Sequence, residues 1–200
     1  MTTGKLSTLR FAFIALATCS ALAAACAVAR DQQEQSWMIK PTKQHQLLKK
    51  DVGTWDATVK VWPMEGAEPM ESKGTEKNRL LKGGLWLITR FEGDVIGMPF
   101  VGMGQFGYDP AEKKYVGSWI DTMTPHMMTT KAEYDEETKT MTGVAETRDP
   151  VTGEKYEAKM ITRYKDDDSH VMEMHRSQNG KEWKVMEISY KRQAKKADAK

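Results

Sequence analysis

The chain has 200 residues, 30 basic and 28 acidic, for a formal net charge of +2. Interspersed signs at near-neutral balance make a poor nucleic-acid binder, which needs concentrated positive charge. Both cysteines, Cys19 and Cys26, sit in an apolar N-terminal stretch. The chain beyond has no disulfide, no thiol nucleophile and no thiolate metal site, so its core must hold the fold alone.

The N-terminus opens with Lys5 and Arg10, runs through an apolar, alanine-rich Phe11–Ala25, and ends in Ala27-Val28-Ala29. Residues 1–29 read as a secretory signal peptide cleaved near Ala29, which predicts export to a periplasm or the outside. Two alternatives stay open. Phe11–Ala29 is just long enough to span a bilayer as an uncleaved anchor. Cys26 or Cys19 could carry a lipid, although neither sits in a well-formed lipidation box. Any membrane contact is expected through this segment alone. Two of the 30 basic residues lie in it, which leaves 28 against 28 beyond.

Residues 30–41 are polar and aperiodic and read as a linker. A barrel domain is expected over residues 42–192. It starts with Gln44 to Asp51, where Leu47 and Leu48 give one or two helical turns ending before Gly53. Then Trp55, Ala57, Val59 and Val61 alternate with Asp56, Thr58 and Lys60, the two-residue period of a half-buried strand.

Nine further strand-like runs follow near 71–81, 85–94, 98–108, 114–122, 126–134, 140–147, 154–164, 169–177 and 183–191. Turn chemistry separates them, for example Gly83-Gly84, Asp109-Pro110, Asp166-Asp167-Asp168 and Asn179-Gly180. Nearly all connections are too short for a parallel crossover. The fold class is therefore all-β: an antiparallel up-and-down barrel of about ten strands with a short N-terminal helix. Closure removes both sheet edges; a two-sheet sandwich is the alternative. Residues 193–200 read as a disordered charged tail.

Gly53-x-Trp55 after a short helix resembles the entry to lipocalin-type barrels. There the tryptophan packs under the barrel floor and a basic residue of the last strand covers it; Arg192 stands where that residue would. A longer set of residues resembles the bacterial family called domain of unknown function 1579. The set is Pro41, His45, Leu48, Gly53-Thr54-Trp55 and Gly83-Gly84-Leu85, then Gly102-x-Gly104-x-x-Gly107-Tyr108-Asp109 and Trp119-x-Asp121. The resemblance implies a lipocalin-like barrel, often exported, and implies no activity.

Gly102 to Gly107 spells G-x-G-x-x-G, but Asp109-Pro110 and another strand follow where a dinucleotide site needs a helix. Gly102 and Gly104 share a face with Phe100, Phe106 and Tyr108, so they bend the wall or leave room for a ligand. His175 could ligate haem from inside the barrel, but a rim or surface position beside Glu173 is the simpler expectation. Met123, Met127, Met128, Met172 and Met174 near His126 and His175 could hold Cu(I); pocket lining or packing is the simpler role for so many methionines.

Arg90 and Glu92 share a face with Trp86 and Ile88, and Asp121 shares one with Trp119. If those faces look inward, Arg90, Glu92 and Asp121 form a paired polar group in an apolar cavity. The expected function is an exported barrel binding a small, mostly apolar ligand. Its contacts would be Trp86, Phe100, Phe106 and Trp119, with Arg90, Glu92 and Asp121 as polar partners. No catalytic residue, metal site or cofactor is assigned. Two alternatives stand: an enzyme of unknown reaction using Asp121 or Glu92 as acid or base, or an envelope structural or interaction protein with a filled barrel.

Overall fold

A computed structural model describes residues 39–95, 97–149, 152–178 and 180–194. The signal peptide, most of the linker and the last six residues of the tail lie outside them. The barrel unit begins at Pro41.

Ten antiparallel strands make up the described fold: β1 (Gly53–Val61), β2 (Met70–Leu80), β3 (Trp86–Val95), β4 (Met98–Asp109), β5 (Lys114–Asp121), β6 (Met128–Asp135), β7 (Thr140–Arg148), β8 (Lys155–Tyr164), β9 (Ser169–Gln178) and β10 (Lys181–Arg192). Each pairs with its neighbour in sequence, and β1 pairs with β10, closing the barrel. The closing register sets Trp55 opposite Arg192 and Val61 opposite Met186. The sandwich alternative is thereby excluded. Every strand lies within about two residues of its expected span, because alternation and turn residues fix pairing jointly.

The inner and outer faces of the barrel differ in polarity. Trp55, Ala57, Val59, Leu87, Phe91 and Ile188 are buried within. The outer face carries cross-strand ion pairs such as Lys114–Glu133 at 3.2 Å and Arg163–Glu173 at 2.7 Å. This is the reverse of a membrane-spanning barrel, whose outer band is apolar. Among the described residues no helix is long and apolar enough to cross a membrane.

The helical turns at Gln44–Asp51 form a 3-10 helix. Leu47 and Leu48 bury against Leu87, Tyr115, Ala132 and Met141, and the Tyr115 hydroxyl donates to the Gln44 carbonyl at 3.0 Å. The helix therefore plugs one barrel end.

Beside it lies a clasp. Trp55 is fully buried and its indole Nε1 donates to the Asp51 carbonyl at 2.8 Å. The Arg192 guanidinium lies 4.0 Å from the centre of the Trp55 ring. The same guanidinium donates to the carbonyls of Lys50, Val52 and Asp167, and to the Asp168 carboxylate at 2.9 Å. Gly53 sits at φ +138°, where a Cβ would meet Arg192 Nη1 at 2.7 Å, so only glycine lets the guanidinium in. Asp166 serves the same corner, its carboxylate accepting from Asp168 N and the Ser169 hydroxyl, both at 2.9 Å. The acidic triplet is thus turn and clasp.

Candidate functional site

The inward faces of the strands enclose a cavity of about 540 Å³. Its wall is apolar and rich in methionine: Met141, Met160, Met172, Met174 and Met186 along the strands, with Met123 and Met128 toward the end away from the helix. Phe91, Phe100, Phe106 and Trp119 add aromatic surface. Methionine is unbranched and adaptable, so such a wall can conform to differently shaped apolar molecules.

Four of the seven residues expected at the site line this cavity: Phe100, Phe106, Trp119 and Asp121. Gly102 and Gly104 do share their face, and Trp119 occupies the room they leave. A Cβ on Gly102 would meet the indole at 2.0 Å and one on Gly104 at 2.9 Å. The G-x-G-x-x-G run belongs to β4 and turns directly into β5, so no helix N-terminus faces it.

Asp121 is committed locally. Its Oδ1 accepts from the backbone N–H groups of Met123 and Thr124, both at 2.8 Å, and its Oδ2 from the Trp119 indole at 3.1 Å. The carboxylate caps the β5–β6 turn and fixes the Trp119 ring. Ser118, without nucleophile-elbow glycines on both sides, also lines the cavity.

The other three expected residues need correction. Trp86, Arg90 and Glu92 stand on the outer face of β3, while Leu87, Thr89 and Phe91 face the cavity. Both faces of this strand carry large apolar residues, so alternation alone does not choose between them. Burial chooses, because an inward Arg–Glu pair would lose its hydration. Outside, Arg90 donates to Glu92 through Nε at 3.0 Å and through Nη2, which holds the Glu92 carboxyl below its ordinary range. Trp86 instead covers Gly107, where a Cβ would meet its ring at 2.7 Å. Arg90→Ala is expected to leave both melting temperature and apolar-probe binding at wild-type values, as an exposed ion pair contributes little. A loss of probe binding in that variant would restore an inward role.

His175 also faces outward. Its ring lies 3.4 Å from Glu173 and 3.6 Å from Glu182. Burial would raise the Glu173 carboxyl, but hydrogen bonds from Arg163 and His175 and the charge of Lys184 hold it down to about 2. His175 therefore belongs to a surface charge network, away from any haem inside the barrel. Met127 is exposed. Among the described residues no three of His, Cys, Asp or Glu group in a way that could hold a metal ion.

A second polar group lies at the helix-plugged end of the cavity, and sequence reasoning overlooked it. Asp51, Glu76, Asn78, Tyr164, His170 and Tyr190 all line this floor. The Tyr190 hydroxyl donates to Glu76 Oε2 at 2.9 Å and Asn78 Nδ2 donates to Oε1 at 2.8 Å. The Tyr164 hydroxyl donates to Asp51 Oδ2 at 3.1 Å. His170 is sandwiched by rings: edge-on to Trp55 at 4.7 Å and stacked on Tyr190 at 4.5 Å.

Loss of water governs the protons here. Burial pushes the Asp51 carboxyl up to about 7, against the Tyr164 hydrogen bond and with the help of Glu76. Burial likewise raises Glu76. It lowers His170 to about 4, with the Arg192 charge adding to the effect. The Asp51 residue is half-buried, yet its Oδ1 is enclosed and has no partner among the described residues; neither has Asn78 Oδ1.

The family described as Protein of unknown function (DUF1579) matches residues 40–192. The chain belongs to the DUF1579 family. No curated protein matches it. Among solved structures, a redesigned β barrel is 15% identical, with 74% of this chain and 95% of that chain covered at a TM-score of 0.39. The clasp residues Gly53, Trp55 and Arg192 all fall within the DUF1579 match, as do both walls of the cavity and its polar floor.

Proposed function

We propose that this DUF1579 protein is an exported carrier that holds a small, mostly apolar molecule in its barrel. The single observation behind the reading is the cavity of about 540 Å³ with its methionine and aromatic wall. That volume lies in the range of small-molecule sites, roughly 300–1,000 Å³, and it favours a carrier over a barrel filled by its own side chains. Export rests on the signal-like Phe11–Ala29 stretch. Phe100, Phe106 and Trp119 are proposed as ligand contacts, with Asp121 holding the Trp119 ring. An enzyme built on Asp121 and Glu92 is disfavoured, since Glu92 faces solvent and both Asp121 oxygens are taken by the turn and the indole.

The neutral fluorophore N-phenyl-1-naphthylamine tests the reading. Its emission is expected to rise on binding, with a Kd in the micromolar range, about −8 kcal/mol. Met160→Trp, which puts an indole into the cavity, is expected to weaken that binding about tenfold or more while the protein stays folded. Equal binding in wild type and variant would place the probe elsewhere and remove the support.

A further inference from the structure

The floor of the cavity indicates the chemistry of the ligand's polar end. Asn78 is only 7% exposed, and its Oδ1 finds no donor among the described residues. Asp51 Oδ1 is in the same state. Asn78 Oδ1 is an acceptor, Asp51 Oδ1 becomes one when its carboxyl ionises, and both border the cavity. A buried acceptor without a donor is costly and calls for a partner that is not part of the chain.

The rest of the lining agrees. The described residues around the cavity include three carboxyls, Asp51, Glu76 and Asp121, and no Lys or Arg. A fatty acid or phosphate head would set an anion beside two buried carboxyls with no cation to meet it. Of the two cations that act on Asp51 from nearby, Lys50 is exposed to solvent, and Arg192 lies against Trp55 and is committed to backbone carbonyls and Asp168. The rings of Tyr164, His170 and Tyr190 surround the floor, and aromatic faces attract cations.

We propose that the ligand is an apolar molecule with a protonated amine at one end, seated with the ammonium on Asp51, Glu76 and Asn78. This rests on the carrier reading and specifies what is carried. An ammonium brings three donors. Two satisfy Asp51 Oδ1 and Asn78 Oδ1; the third reaches a remaining lone pair of Glu76. A neutral alcohol brings a single donor and leaves acceptors empty. The bound cation also lets the Asp51 carboxyl ionise, so its proton leaves to solvent as the amine seats.

The test displaces N-phenyl-1-naphthylamine from the purified protein with dodecylamine, dodecanol and dodecanoate, each below its aggregation threshold. The amine is expected to bind about tenfold or more tighter than the alcohol, as a charge-assisted contact outweighs a neutral one. The carboxylate is expected to bind weakest. Asp51→Asn combined with Glu76→Gln should erase the amine's advantage over the alcohol.

Should that variant fail to fold, wild-type calorimetry in two buffers at pH 6 serves instead. Amine binding is expected to release close to one proton and alcohol binding none. The groups facing Asp51 are Tyr164 of β8, Glu76 of β2, Arg192 of β10 and Lys50 of its own helix; the release must disappear in Asp51→Asn. Alcohol binding equal to amine, carboxylate binding strongest, or amine binding without proton release would each overturn the proposal while the carrier reading stands. If the fluorophore itself does not bind, both fall.

Discussion

Trp55→Ala is expected to lower the unfolding free energy by about 3–5 kcal/mol, the range for removing a fully buried tryptophan. The loss has three parts. The indole fills the corner between Ala57, Tyr190 and His170, and deletion leaves a void there. The Asp51 carbonyl loses its donor. The Arg192 guanidinium loses the ring it lies on. Urea denaturation measures the effect as a lower midpoint at unchanged slope, by about 2 M for slopes near 2 kcal/mol/M. Trp55→Phe should recover most of the buried area and lack the hydrogen bond, a cost of about 1–2 kcal/mol. Arg192→Met keeps an apolar stem over the ring but leaves the Lys50, Val52 and Asp167 carbonyls without their donor. A loss of about 1–3 kcal/mol is expected there. A Trp55→Ala protein within 1 kcal/mol of wild type would show that the floor is not where this barrel is held shut.

The strand order was legible in the sequence because it rests on local signals, whereas the Trp55–Arg192 contact was implied by a resemblance to the entry of lipocalin-type barrels. Alternation sets a strand, Asp, Asn, Gly and Pro set its turns, and hairpins of this length leave one topology. Gly53, Trp55 and Arg192 mark where the ends meet. The faces of β3 were harder, because Trp86 and Ile88 rival Leu87 and Phe91 in apolar content. Charge was the better guide: the Trp86 face carries Arg90 and Glu92, and the other carries none.

The same rule would have found the floor. In β2, Lys73, Lys77 and Arg79 share one parity, while Gly74, Glu76 and Asn78 share the other. The strand has few apolar residues on either side, so a search for hydrophobic alternation passes over it. Yet lysine and arginine avoid closed interiors more strictly than a hydrogen-bonded Glu or Asn does. His170 was within reach too, two and four residues from Met172 and Met174 on one inward parity. Asp51 was not, because its carboxyl is enclosed only when the 3-10 helix docks on the barrel.

Stability against pH is expected to separate the floor residues by sign. The empty folded barrel keeps a proton on Asp51 up to about pH 7. The unfolded chain releases it near the ordinary value of 3.8. Between those limits the folded state holds the extra proton, so this residue makes stability fall as pH rises, by about 1.4 kcal/mol per pH unit. His170 works the other way. Folded, it stays neutral down to about 4, whereas the unfolded imidazole takes a proton below 6.5. Between those limits the unfolded state holds the extra proton, and stability rises with pH at the same rate. From about pH 4 to 6.5 the two slopes offset each other.

Single substitutions unmask them. Asp51→Asn keeps an oxygen for the Tyr164 hydroxyl and removes the falling slope. Its stability relative to wild type should therefore climb by roughly 3 kcal/mol from pH 4 to 7.5. His170→Phe keeps the ring between Trp55 and Tyr190 and removes the rising slope. Its advantage over wild type should be greatest at pH 4 and decline by about 3 kcal/mol by pH 7. Groups that titrate elsewhere are common to all three proteins and cancel in the difference. Burial raises Glu76 as well, so a protein carrying both Asp51→Asn and His170→Phe should keep a residual fall with pH that adding Glu76→Gln removes. Parallel curves for Asp51→Asn and wild type would mean that water reaches the Asp51 carboxyl, and the floor would then be an open polar surface.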